Sequence, residues 1–167
     1  GAKDHYTEEH SRRVTLLCIA FANFLKLSKQ EISDLQIAAA FHDIGKIGIP
    51  DNILLKTTRL TDDEYQVIKT HPTIAANIFS VSDIYRDIYP IMYHHHERYD
   101  GKGYPDGLKG EEIPIEARII GIADSQVKET RERVRAAFAS SGLTFPQERV
   151  LISASPANLK KENPMDL

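Results

Sequence analysis

Apolar residues recur at helical spacing through most of this chain. Val14, Leu17, Cys18, Phe21 and Leu25 fall near one face of a first helix. Ser28 and Glu31 form the S-x-x-E pattern of a capping box, which predicts the start of a second helix. On that helix Ile32, Leu35, Ala39 and His42 lie near one face, so His42 points inward, where an imidazole needs a partner. Thr61 and Glu64 predict another capping box before Tyr65 and Ile68. His71 precedes Pro72, and the residue before proline is biased away from helix, so His71 marks a helix boundary. Ile84, Ile88, Ile91, Met92 and His95 suggest a further inward stripe, bent at Pro90. Residues 97–113 are rich in glycine, proline and charge and read as a loop. Pro114 then suits the first turn of a short helix ending near Asp124.

Beyond Asp124 the pattern changes. Residues 125–141 are strongly charged, with a narrow stripe of Val127, Val134 and Phe138, and Gly142 reads as a helix stop. Arg149 to Ser153 have the β-branched and apolar content of a short strand. The expectation is an all-α helical bundle over residues 1–124. A separate segment, 125–167, adds a C-terminal helix and a short β element.

Composition narrows the function. The 167 residues suffice for a domain with a real core. A formal charge of −3 argues against a DNA or general nucleic-acid binder, yet leaves room for a small anionic substrate held by a metal and local cations. The single cysteine, Cys18, excludes an internal disulfide and suits a reducing, cytoplasmic setting; on its apolar stripe it reads as core. Without a signal peptide or a run of about 18 apolar residues, no membrane contact is expected. The abrupt start inside a helix predicts a piece of a longer chain.

The candidate chemistry lies in the histidines. Of the seven, His94, His95 and His96 are contiguous, His42 adjoins Asp43, His71 ends a helix, and His10 lies near the start of the first helix. Asp124 closes the short helix after the loop. Inward histidines on several helices, together with carboxylates, suit a metal held in the core of a bundle. Neutral imidazoles and carboxylates favour iron, manganese or zinc. A carboxylate with two oxygens can bridge two ions about 3.5–4 Å apart, which activate a water against a phosphodiester. Asp43 is the natural bridge. His5 reads as a surface residue and His94 as a bystander. Spacing alone leaves open a metal site or a set of separately satisfied histidines.

Longer motifs narrow the choice. Residues 41–50, FHDIGKIGIP, match HD-x-GK-x-x-x-P, and residues 95–105, HHERYDGKGYP, match HHE-x-x-DG-x-GYP. With HSRRV at 10–14, the HP pair at 71–72 and ARIIGIAD at 117–124, the chain resembles the HD-GYP family over about residues 4–124. The resemblance implies an all-helical HD-domain fold and a metal-dependent phosphodiesterase. Such an enzyme hydrolyses cyclic di-GMP to linear pGpG, and in some cases on to GMP, through a hydroxide bridging a binuclear centre. The implied metal ligands are His10, His42, Asp43, His71, His95, His96 and Asp124. Asp43 and Lys46 become the implied catalytic groups, Lys46 facing a substrate phosphate. Gly103, Tyr104 and Pro105 would border the substrate, with Gly101 and Gly103 granting the loop positive φ angles. Tyr6 stands where some members carry a further glutamate ligand, so two divalent ions are expected, iron or manganese before zinc. Ala75 stands where the family commonly has glycine, a difference of packing only.

After Asp124 the resemblance lapses. GIADSQVKETRERVRAAF, SGLTFPQERV and SPANLKKE, within residues 121–167, are similar in order to a fragment of the magnesium-chelatase-like competence AAA+ family. No G-x-x-x-x-G-K-S/T motif is present, which excludes ATP hydrolysis by that route. So short a fragment is expected to pack on the first part or across a homodimer, with 149–153 as a pairing edge. Arg133 sits at the offset from Asp124 that the HD-GYP arginine would occupy, which makes it a substrate-binding candidate or a solvated helix arginine. Ala136 replaces the cation that would follow. An active phosphodiesterase, a catalytically weak metal-binding module and a functionless chimera remain as readings.

Overall fold

A computed structural model of the chain describes residues 2–140, and the regular elements within them are all helical. Seven α-helices follow in order: α1 (Ala2–Phe24), α2 (Lys29–Phe41), α3 (Asp51–Leu54), α4 (Asp62–Ile68), α5 (His71–Phe79), α6 (Ile88–Tyr93) and α7 (Ile115–Ser140). Short 3-10 turns at Ile44–Gly48, Asp83–Tyr85 and Gly110–Glu112 join them. The chain divides into two compact units, residues 1–131 and 132–167. His10 through Asp124 lie in the first and Arg133 in the second. Gly142 and the strand expected at 149–153 lie outside the described residues.

Both expected capping boxes form. Ser28 accepts from the Glu31 amide while the Glu31 carboxylate accepts from the Ser28 amide, and Thr61 and Glu64 do the same. Each satisfies backbone donors that a helix start leaves without partners. The core gathers Val14, Cys18 and Ala22 of α1, Leu35, Ala38 and Ala39 of α2, Ala75 of α5, Ile91 and Met92 of α6, and Ile119, Ile120 and Ala123 of α7. Burial pushes the Cys18 thiol up to about 12, so it packs as a small apolar group rather than reacting as a thiolate. Leu25 falls beyond the end of α1 and is exposed.

Two expectations need correction. The stripe from Ile84 to His95 is not one bent helix: a 3-10 turn ends at Tyr85 and α6 begins at Ile88. Pro90 therefore lies in the first turn of α6, where an amide has no intrahelical acceptor to lose, and it starts this helix instead of bending it. The helix after Pro114 does not end near Asp124 either. Pro114 occupies its N-cap, its carbonyl accepting from the Arg118 amide, and α7 continues to Ser140. Nothing between Asp124 and Ser140 is a glycine or a proline, so nothing breaks the helix.

Candidate metal centre

The site begins where α2 stops. His42 is the C-cap of α2, and Asp43 precedes the 3-10 turn that follows. Gly45 lets that turn lie against α5: a Cβ there would stand 1.9 Å from the His71 carbonyl oxygen and 2.6 Å from the Ala75 amide nitrogen. This close approach brings Asp43 to His71, which does not end a helix as expected but opens α5, because Pro72 in the first turn has no intrahelical amide bond to lose. The turn just past α6 supplies His95 and His96, α1 supplies His10, and α7 supplies Asp124.

These residues form two adjoining groups. Donor atoms of Asp43, His71, His95 and His96 lie within 4.8 Å of one another, as do those of His10, His42 and Asp124. Asp43 faces both: its Oδ1 is 3.4 Å from His71 Nε2 and its Oδ2 is 3.6 Å from His42 Nε2. Asp124 Oδ1 lies 2.9 Å from His10 Nε2 and 3.9 Å from His42 Nε2.

The histidines are oriented for ligation. Nδ1 of His42, His71 and His95 lies 2.7, 2.7 and 2.6 Å from the carbonyl oxygens of Ala39, Ile68 and Met92. A carbonyl can only accept, so Nδ1 carries the proton and Nε2 offers its lone pair to the pocket. Burial pushes all three imidazoles below their ordinary range, with His95 well below it, and takes His96 down to about 3. Asp43 and Asp124 stay ionised. Burial would raise both, but the Lys46 ammonium opposes it at Asp43, and the His10 contact and the Lys128 ammonium oppose it at Asp124.

The pocket fits a divalent metal. His42 Nε2, His95 Nε2 and Asp43 Oδ1 are buried without a hydrogen-bond partner, an arrangement that costs folding energy unless something else satisfies them. Neutral imidazole nitrogens and ionised carboxylates suit manganese, iron or zinc.

Beside the pocket, Lys46 Nζ donates to Asp43 Oδ2 at 2.6 Å while keeping part of its side chain in solvent. The Tyr104 ring stacks on His96, with centroids 4.8 Å apart and planes at 24°. Gly101 has the expected positive φ of 77°. Gly103 is not in that region, which corrects the reason for it: a Cβ there would stand 2.3 Å from the Arg98 amide nitrogen and 2.5 Å from the Glu97 Cα. Gly103 is a close-approach glycine that lets the loop fold back on the end of α6, next to the half-buried Tyr104 and Pro105. Arg133 is exposed on the part of α7 that belongs to the second unit. The side chains of His5 and Tyr6 lie outside the described residues.

Sequence reasoning missed three residues. Glu97 Oε1 accepts from the amides of Asp106 and Gly107, pinning the loop; its place in HHE was the available signal. Lys128 Nζ donates to Asp124 Oδ2 at 2.5 Å, one helical turn onward. Lys69 Nζ sits 5.4 Å from the Tyr104 ring centroid, and no sequence signal marks it.

Comparison with known proteins adds a family and a fold. The HD domain family matches residues 2–142. The cyclic di-GMP phosphodiesterase response regulator RpfG of Xanthomonas campestris pv. campestris is 46% identical over 125 residues, covering 73% of this chain and 33% of that protein. A cyclic di-GMP phosphodiesterase of Thermotoga maritima is also 46% identical over 125 residues, covering 74% of this chain and 34% of its own length. The chain thus spans about a third of the length of these relatives. Among solved structures, Bd1817, an HDG"Y"P protein from Bdellovibrio bacteriovorus, superposes with a TM-score of 0.59 at 24% identity, over 71% of this chain and 39% of that one, a likeness of fold.

Proposed function

Because this chain belongs to the HD domain family, we propose that it is a metal-dependent phosphodiesterase that hydrolyses cyclic di-GMP, or a close cyclic dinucleotide, to the linear dinucleotide pGpG, with GMP as a further product. The observation that carries this reading is the pair of histidine-carboxylate groups joined through the two oxygens of Asp43. Relatives named for that reaction support it.

His10, His42 and Asp124 would hold one divalent ion, and His71, His95 and His96 a second, with Asp43 between them. Manganese or iron suits the donors best, and zinc is compatible. When bound, such ions supply an activated water and neutralise charge on phosphoryl oxygens. Lys46 provides a fixed ammonium beside Asp43, placed to offset charge that builds on the phosphodiester in the transition state. Tyr104, stacked on His96, and Pro105 give the pocket an apolar rim against which a base or ribose can lie. Low proton affinity keeps the histidines neutral and available near neutral pH.

A cytoplasmic setting goes with this substrate. Among the described residues no helix is long and apolar enough to cross a membrane.

The test is incubation of manganese- or iron-loaded protein with cyclic di-GMP, followed by chromatography of the products. Turnover to pGpG is expected, with its loss in Asp43→Ala while the helical spectrum is kept. If no linear dinucleotide forms with manganese, iron or zinc, the reading fails. A second reading, a metal-binding module with weak turnover, draws on Ala136 standing where a substrate-side cation is expected. It predicts tight metal binding without product.

A further inference from the structure

His94 belongs to neither pocket group. One donor atom each from His94, Glu97 and Asp106 lie within 4.8 Å of one another, forming a third cluster at the other end of the HHE motif. Its geometry repeats the logic of the pocket. His94 Nδ1 is 2.9 Å from the Pro90 carbonyl oxygen, so this nitrogen carries the proton and Nε2 presents its lone pair. That lone pair faces Asp106 Oδ2 at 3.0 Å. Two acceptors at this distance need a proton or a cation between them. Two ligand atoms about 2.1 Å from an ion, at the right angles of octahedral coordination, would stand about 3.0 Å apart.

A proton alone leaves one atom unexplained. Glu97 is buried at 9% exposure; its Oε1 is satisfied by the Asp106 and Gly107 amides, but its Oε2 is buried without a hydrogen-bond partner. An imidazolium at His94 would answer Asp106 and leave Glu97 Oε2 unmet. A divalent cation would answer His94 and Asp106 together with the Glu97 carboxylate, one oxygen of which lies within 4.8 Å of both their donor atoms. Asp106, with about half of its side chain exposed, leaves a way in.

We propose that His94, Glu97 and Asp106 form a further divalent-cation site, outside the histidine pocket, that staples the loop after the HHE motif to the end of α6. One imidazole and two carboxylates suit zinc or manganese. Asp106 lies two residues beyond Tyr104, so an ion held there would fix the Tyr104 ring over His96. Pocket metals do chemistry in the reading above; this ion acts on the position of the loop. The inference does not depend on the phosphodiesterase reading.

The test is metal counting on the whole chain equilibrated with zinc, and separately with manganese, then freed of unbound metal. Asp106→Asn and His94→Gln are each expected to bind about one ion per chain fewer than the unaltered protein. A pocket variant, His42→Ala with His71→Ala, should retain that ion. Trypsin cleavage after Arg98 and Lys102, both exposed, should slow on adding metal to the pocket variant, and should not slow when Asp106→Asn is added to it. Equal counts in the unaltered protein and in folded Asp106→Asn and His94→Gln would show a plain imidazolium–carboxylate pair and overturn the proposal. Loss of metal in the pocket variant only, with Asp106→Asn unaffected, would likewise overturn it while leaving the binuclear reading standing.

Discussion

The Nε2 atoms of His71 and His96 face each other 3.2 Å apart, one at the start of α5 and the other just past α6. His71 has committed its proton to the Ile68 carbonyl, so its Nε2 is a lone pair. Without metal, His96 must donate into it; with metal, both nitrogens can turn to one ion. The helices bearing them are therefore tied most firmly in the metal-bound state.

Metal removal should lower stability. A ligand that binds only the folded chain adds about 2.7 kcal/mol at a hundredfold excess over its Kd. Chelation should drop the thermal midpoint by several degrees, and adding back manganese should restore it. Differential scanning fluorimetry with and without chelator checks this.

The metal-free protein should be sensitive to acid. Burial depresses the folded pKa of His42, His71, His95 and His96, whereas the same histidines unfolded take up protons near pH 6.5. Above that pH neither state is protonated and stability is complete. As pH falls below it the unfolded chain binds more protons, so stability is lost, at up to about 1.4 kcal/mol per pH unit for each histidine. For His96 the loss continues toward its folded value of about 3. Urea unfolding at pH 7.5, 6 and 5 should show falling midpoints.

Lys46→Ala should separate charge from ligation. Its ammonium touches Asp43 and partly reaches solvent, but it is no metal donor. Metal content should stay unchanged while kcat on cyclic di-GMP falls about a hundredfold, the scale seen when one electrostatic stabiliser is removed. Asp43→Ala should lose metal as well as turnover. Paired metal analysis and kinetics distinguish the two.

Gly45→Ala should damage the site through packing. Its new methyl would fall 1.9 Å from the His71 carbonyl oxygen, a backbone atom that cannot swing aside. Overpacking of this kind costs about 1–3 kcal/mol. The thermal midpoint should fall, and metal binding should weaken because His71 and Asp43 are pushed apart. Gly48→Ala, whose Cβ would meet only the flexible Ile74 side chain, should be milder on both counts.

Much of this was legible before any coordinates. The capping boxes at Ser28 and Thr61 and the inward face bearing His42 depend on residues a few positions apart, and local hydrogen bonds and sterics decide such features. Where local cues competed, the reading went astray. Pro90 could bend a helix or start one, and the answer depended on where the preceding turn ended. Gly103 was credited with a positive φ, but its lack of a Cβ matters because the Glu97 and Arg98 backbone lies against it. Lys69 reaches Tyr104 across thirty-five positions of sequence, which no periodicity reveals.

By itself, then, the sequence determined most of the helical elements, the donor types and the family resemblance, because these are properties of residues and of short-range order. Only the tertiary structure decided how the donors are shared. It set His10, His42 and Asp124 on one side of Asp43 and His71, His95 and His96 on the other, and it drew His94 aside to Glu97 and Asp106. Partition of that kind follows from how α1, α2, α5, α6 and α7 pack, and packing is a relation among distant residues that spacing along a chain does not contain.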